Sequence, residues 1–232
     1  MPCGIPTGDH KGRAGDHKGR AGDHKGRPYG YGRRCVGLAL FTASCLASSI
    51  VAETGEQLAD RLCVDCHGEF GRSETKDIPS IGGFSEFAIM DLLESYRLGF
   101  RKARAITLDD GSENDMQQVV DALSDEEIET VAVYYSAQEW RPHDQVFDAE
   151  LARRGAAIHS RKCGKCHPKG GSVPDADHAL LAGQWRDYLA RELRNFTSGK
   201  RRMADKMKKK FDTLSESDKD ALLELYVSAG DY

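Results

Sequence analysis

Two pentapeptides carry the chemistry that can be read from this chain: Cys63-Val64-Asp65-Cys66-His67 and Cys163-Gly164-Lys165-Cys166-His167, one hundred residues apart. Both read C-x-x-C-H, the attachment sequence of a c-type haem. The spacing has a chemical reason. Two thiols three positions apart on one helical turn reach the two vinyl groups of a single haem, and the adjoining His then lies under the iron as proximal ligand. A redox dithiol needs a βαβ context, which the chain does not offer. A zinc site built from four Cys would leave both His unexplained. The chain has seven Cys. Cys3, Cys35 and Cys45 precede residue 53, so the remaining four, Cys63, Cys66, Cys163 and Cys166, all sit in the two motifs. The expectation is two covalently attached haems c, with His67 and His167 on the irons.

A haem iron with a proximal His is left open or is closed by Met or His. Beyond residue 52 the Met residues are Met90, Met116, Met203 and Met207. Met90 falls on the apolar face Phe87–Leu93 and reads as core packing. Met116 stands in a polar loop, Ser112–Met116, where a lone thioether calls for an explanation. It precedes Leu123 by seven residues, and Met207 precedes Leu214 by the same seven. Met203 falls four residues out of that register. Met116 and Met207 are therefore the expected sixth ligands. His143, His159 and His178 read as surface or packing residues, with His178 in a loop near the second motif.

The elements that position these groups repeat as well. Gly55–Leu62 and Gly155–Lys162 are short helical approaches to the motifs. Leu92–Gly99 and Leu189–Gly199 are amphipathic stretches ending in Gly, a usual residue just past a helix. Leu123-Ser124-Asp125-Glu126-Glu127 answers Leu214-Ser215-Glu216-Ser217-Asp218, and Ser124 with Glu127 reads as a capping box. Apolar faces follow at Ile128, Val131, Val133, Tyr134 and Tyr135, and at Leu222, Leu223, Leu225 and Tyr226. No stretch sustains period-two alternation, so no sheet is expected. The predicted fold class is all-α, two tandem domains of about three main helices each, at 53–141 and 142–232. Trp140-Arg141-Pro142-His143 is the predicted link, because Pro142 cannot continue a helix.

The first 52 residues do not read as fold. Three seven-residue units, Gly8–Ala14, Gly15–Ala21 and Gly22–Pro28, hold almost no apolar side chains and cannot form a core. Residues 1–32 are expected to be a disordered repeat extension. Arg33-Arg34 then precede the short apolar run Cys35–Val51 and the small Ala52, the pattern of a secretory signal peptide over 33–52. The mature chain is expected to begin near Glu53 and to be periplasmic. The run is too short and too rich in Ser and Thr for a spanning helix, so no integral membrane segment is expected in the mature chain. Of 232 residues, 33 are Lys+Arg and 37 are Asp+Glu, a formal net charge of −4; nucleic-acid binding, which needs a basic face, is not expected. The charge is divided unevenly. Residues 53–148 hold 8 Lys+Arg against 22 Asp+Glu, whereas 149–232 hold 17 against 12. Such asymmetry orients partners through long-range fields.

On these residues the chain resembles the dihaem class I cytochromes c. Its second half also resembles the cytochrome subunit of flavocytochrome c sulfide dehydrogenases. Cys163–His167, Gly170-Gly171, Leu181-Ala182-Gly183-Gln184-Trp185, Tyr188-Leu189 and Arg201-Arg202-Met203-Ala204-Asp205-Lys206-Met207 carry that narrower resemblance. Many class I cytochromes place a Pro twelve residues after the proximal His, whose carbonyl orients the ring. Pro79 stands there after His67, and Ala179 stands at the matching place after His167, as in the narrower family. The resemblance implies His/Met ligation and a separate flavoprotein subunit that oxidises sulfide at a covalent FAD. This chain has no Gly-x-Gly-x-x-Gly fingerprint of its own. It would pass electrons from that flavoprotein to an acceptor c-type cytochrome, itself an electron-transfer subunit and not the enzyme. The alternative is a free dihaem shuttle that feeds a terminal oxidase. An enzyme, a dihaem peroxidase or a sulfur-compound oxidase, is a third class, and it needs an open iron or a special ligand.

Overall fold

The computed structural model describes residues 52–108 and 110–230. The expected repeat extension 1–32 and all of the expected signal peptide except Ala52 lie outside the described residues. Each half opens on a helix that leads into its C-x-x-C-H turn. In the first half α1 (Gly55–Leu62) starts at a capping box between Thr54 and Gln57, which satisfies two backbone N–H groups at the helix start. In the second half the matching helix, α6 (Ala149–Lys162), starts six residues earlier than its apolar pattern shows. Asp148 sets that start: its carboxylate accepts the N–H groups of Glu150 and Leu151 at 2.9 and 3.0 Å.

The motif turns follow, as α2 (Val64–His67) and an open turn at 163–167. Next comes a loop, then α3 (Glu86–Arg97) or, in the second half, α8 (Arg186–Thr197), preceded by a short turn labelled α7 (Pro168–Gly171). α4 (Met116–Asp121) and α5 (Asp125–Ser136) close the first half; α9 (Asp205–Phe211) and α10 (Glu216–Val227) close the second. The capping boxes at Ser124/Glu127 and Ser215/Asp218 both form. One difference from the sequence reading is a two-residue antiparallel ladder, β1 (Ile106–Thr107) and β2 (Glu113–Asn114), with Ile106 opposite Asn114. Two residues per strand are too few to show an alternation.

α1 packs on α5, and α6 packs on α10. Glycine permits both close approaches. A Cβ on Gly55 would stand 2.6 Å from the Tyr134 Cβ, and one on Gly155 would stand 2.1 Å from the Ala221 carbonyl. One core gathers around Leu58, Val131, Ala132 and Tyr135, and a second around Ile158, Leu189, Leu222 and Leu225.

Between the cores runs a polar seam. The Gln184 side chain bonds both ways to the Ser80 backbone, accepting its N–H at 3.0 Å and donating to its carbonyl at 2.6 Å. Trp185 Nε1 donates to the Ser73 carbonyl at 2.8 Å, and the Tyr188 N–H donates to the Lys76 carbonyl at 3.1 Å. His143, in the predicted link, is 5% exposed, bonds to Ser80 Oγ at 2.8 Å and stacks on Trp185 with ring centres 3.8 Å apart. It is a packing residue of the seam.

Burial, aided by Arg72, pushes the His143 pKa down to about 4. In the unfolded chain a His titrates near ~6.5, so on acidification the unfolded chain takes up the proton first. His143 therefore costs no stability above about pH 6.5, and stability is lost as pH falls from there towards about 4. His143→Gln is expected to flatten that part of the stability profile, as read by denaturant unfolding at about pH 7.5 and about pH 4.5.

Candidate haem sites

In the first half the motif winds as a single turn. The His67 N–H closes on the Cys63 carbonyl at 2.8 Å and the Cys66 N–H on the same oxygen at 3.2 Å. This puts both thiols and the imidazole on one turn, as the spacing predicts. His67 is 8% exposed, and its Nδ1 donates to the Pro79 carbonyl at 2.8 Å. A carbonyl only accepts, so Nδ1 holds the proton and Nε2 keeps its lone pair free for a metal. Burial also pushes the His67 pKa down, which keeps the ring neutral. The expected role of Pro79 thus has its geometry.

Gly68 makes the return of the chain possible. At φ 72 and ψ 171 it occupies a region open essentially to Gly alone. A Cβ there would stand 2.2 Å from the Arg72 carbonyl.

His67, Cys66 and Met116 line one cavity of about 780 Å³. Ile81, Phe84, Ile89 and Leu93 give it apolar walls. Cationic groups from both halves line it too: Arg101, Lys102 and Arg104 from the first, Arg191, Arg194 and Arg201 from the second. The volume lies within the usual ~300–1,000 Å³ of cofactor pockets. A flat apolar macrocycle with two carboxylates fits this lining. Thiols sit at the motif turn, a free ring nitrogen and a thioether are available to the iron, and guanidinium groups can offset the acid groups. Met116 is not in an irregular loop, as its polar neighbours predict. It is the first residue of α4, behind an Asp115 cap that accepts the Gln118 N–H at 2.9 Å.

The second motif closes the same turn, with the His167 N–H on the Cys163 carbonyl at 2.9 Å. It is more open, since Cys166 is exposed and His167 half-buried. His167 also departs from His67 at its backbone, with φ −116 and ψ 74. The cause stands next to it in the sequence. Pro168 occupies the place of Gly68, and a residue before Pro is pushed out of the helical region. The His167 Nδ1 is consequently buried without a hydrogen-bond partner among the described residues. Its carbonyl instead accepts His159 Nε2–H at 2.6 Å, while His159 Nδ1 lies 3.1 Å from the Tyr226 hydroxyl. The His178 ring centre lies 5.0 Å from that of His167. Burial, with His178 and His159 adding to it, pushes the His167 pKa down to about 4. Met207 lies on α9 and is 37% exposed, whereas Met203 is half-buried just before that helix.

The rival chemistries lose ground here. A reactive dithiol needs a lowered thiol pKa, and burial pushes Cys63 up to about 11 and raises Cys66 and Cys163 as well. Among the described residues no group of three or more His, Cys, Asp or Glu is placed to hold a metal ion by itself. No described helix is long and apolar enough to cross a membrane.

Comparison with known proteins bears on the family and the fold. Residues 52–136 match the family model described as Cytochrome c, and residues 150–224 match that described as Cytochrome C oxidase, cbb3-type, subunit III. Cytochrome c4 of Azotobacter vinelandii is 25% identical over 152 residues, covering 60% of this chain and 70% of the relative. Cytochrome c-554(548) of Halomonas halodenitrificans is 35% identical over 77 residues, 33% of this chain and 84% of the relative. The crystal structure of reduced recombinant cytochrome c4 from Pseudomonas stutzeri superposes with a TM-score of 0.59 at 25% identity, covering 76% of this chain and 98% of that one. Thiosulfate dehydrogenase from Marichromatium purpuratum shares the fold with a TM-score of 0.60 at 22% identity, over 75% of this chain and 39% of that one.

Fold and site together define an all-α protein of tandem covalent-haem modules. The chain belongs to the dihaem class I cytochrome c family: it is a cytochrome c4-like electron-transfer protein carrying two covalently bound haems c. The findings support the wider resemblance drawn from the sequence and do not reach the flavocytochrome subunit.

Gly68→Ala is expected to lower stability by roughly 1–3 kcal/mol from backbone strain alone, with the contact at the Arg72 carbonyl adding to it. Thermal unfolding of the haem-loaded protein reads this directly.

Proposed function

We propose that Cys63 and Cys66 hold the first haem and Cys163 and Cys166 the second, in domains 53–141 and 142–232. His67 with Met116, and His167 with Met207, are their axial pairs. The observation that carries the reading is the single cavity on which Cys66, His67 and Met116 converge, beside the seam that joins the halves. When bound, the haems supply one-electron redox chemistry. The chain's own residues do the rest. Pro79 holds the Nδ1 proton of His67, which fixes the ring and raises its basicity as a ligand. Phe84, Ile89 and Leu93 exclude water from the first site. Thioether ligation raises the haem potential, which suits passing electrons onward. Met207 is assigned by its register with Met116; Met203 is the more buried of the pair.

The mature chain then acts as a periplasmic dihaem shuttle, taking single electrons from a donor and delivering them to an acceptor c-type cytochrome or a terminal oxidase. The likeness to cytochrome c4 proteins supports this form. A second reading makes it the electron-transfer subunit of a sulfide-oxidising flavoprotein that carries FAD. Trp185 and the run Arg201-Arg202-Met203 to Met207 favour it, as does Ala179 in place of a proline. The charge division suits either form. The exposed Lys206, Lys208, Lys209 and Lys210 on α9 offer a basic face, and the first half offers an acidic one.

The test is purification of the native protein from its periplasm, with an absorbance spectrum and intact masses of every chain that travels with it. Two haems on a lone chain that begins near Glu53 is the expected result. A co-purifying chain with covalent flavin would replace the shuttle with the second reading. The Met–iron charge-transfer band should have the strength of two haems and fall by half in Met116→Ala and in Met207→Ala. An undiminished band in Met207→Ala, with loss in Met203→Ala, would move the second ligand to Met203.

A further inference from the structure

A buried carboxylate stands in one half where the other half has a leucine. Glu192, on α8, is 6% exposed; one hundred residues earlier, on α3, the chain has Leu92. Glu192 gathers guanidinium groups from both sides of the seam. Its Oε2 receives Arg101 Nη2 at 3.0 Å and Arg201 Nη1 at 2.5 Å. Its Oε1 accepts from Asn195 Nδ2 at 3.1 Å and lies 3.5 Å from Arg191 Nε. Arg101 and Arg201 are themselves counterparts at the same hundred-residue offset, and they meet as an isolated antiparallel bridge. Arg101 is 6% exposed, donates to the Tyr188 hydroxyl at 3.3 Å and lies 4.9 Å from the centre of the Tyr96 ring.

Burial alone would raise the Glu192 pKa. Arg101, Arg201 and Arg191 outweigh it and hold the carboxyl below its ordinary range, so it is charged. Glu192, Arg101, Arg191 and Arg201 all line the cavity that also holds Cys66, His67 and Met116. Charges out of water act on one another with little screening. Three guanidinium groups around one carboxylate leave this wall net positive, and the carboxylate is what moderates it.

We propose that Glu192 is a positioning residue that sets the reduction potential of the first haem apart from that of the second. It does so by holding Arg101 and Arg201 at the cavity wall and partly cancelling their charge. The inference rests on the assignment of Cys66, His67 and Met116 to the first haem. The physics is direct. Oxidised haem carries one more positive charge than reduced haem, so a nearby anion favours the oxidised form and its loss favours the reduced form. None of Cys163, Cys166, His167 and Met207 lines this cavity, so the same substitution does not act on the two irons alike.

The test is an optical redox titration of the mature, haem-loaded full chain. In Glu192→Gln, one of the two midpoints is expected to rise by about a tenfold change in its electron equilibrium, ~59 mV for a one-electron couple, while the other moves by less than half as much. Arg201→Gln should move the same midpoint the opposite way. The double variant should return it towards the native value, and Glu192→Asp should largely keep that value. Raising the salt should reduce the shift little. The proposal is overturned if both midpoints stay within a threefold change, if both rise together, or if Glu192→Gln and Arg201→Gln shift them in the same direction. A change confined to the unfolding temperature also overturns it, since a clamp between the halves would give only that. The native chain separates this from failure of the ligand assignment: fewer than two haems, or a Met–iron band unaffected by Met116→Ala, is seen before any Glu192 variant is measured.

Discussion

One turn of backbone has to deliver two thiols and an imidazole to the same face, and the rest of this structure is arranged around that demand. The turn is closed by a single carbonyl, that of Cys63, which accepts the N–H groups of both Cys66 and His67. A turn of five residues does not hold its shape alone, because fixing a few residues for one or two hydrogen bonds is unfavourable. α1 carries it, packed on α5 through Gly55. The loop after Gly68 comes back beneath it, so that the Pro79 carbonyl takes the His67 Nδ1 proton. Helices α3 and α4 then supply the wall and the thioether.

The second half repeats the plan and alters its electrostatics. Pro168 in place of Gly68 shifts the backbone of His167 and leaves its Nδ1 without the partner that His67 has. His159, where the first half has Ala59, takes the motif carbonyl and reaches Tyr226. Cys166 is exposed, whereas Cys66 is half-buried. A hydrogen bond on the outer nitrogen of an iron-bound His tunes the metal, as do exposure and nearby charge. Two sites of one type, placed in one chain, are therefore not electrically the same.

The halves are joined by polar contacts. Gln184 to Ser80, Trp185 to Ser73, and the arginines around Glu192 are hydrogen bonds and ion pairs in places where a larger protein would put aliphatic side chains. The low apolar content, 39% of residues, is consistent with this. Leu180 and Ala179 of the second half add apolar contacts to the first core. Buried polar groups are tolerable when paired, and these are paired, which gives the seam a specific register.

The sequence by itself determined the cofactor and the family, because covalent haem attachment needs particular residue types at short, rigid spacing. C-x-x-C-H states that chemistry whatever surrounds it. The helical class was legible too, since the caps at Ser124 and Ser215 and the apolar faces behind them are local. The two-residue ladder at Ile106 was not, being too short for any periodicity. Nor was the helical start at Met116, where Asp115 supplies a cap amid polar neighbours. The different backbone of His167 had a signal in Pro168, which sits beside it and acts through sterics alone. Only the tertiary structure decided what Glu192 and His143 do. Glu192 sits on a helix surface by pattern, and His143 follows a proline in a link. Each becomes buried because the other half folds over it, and a contact between residues about ninety or sixty positions apart leaves no trace in local spacing.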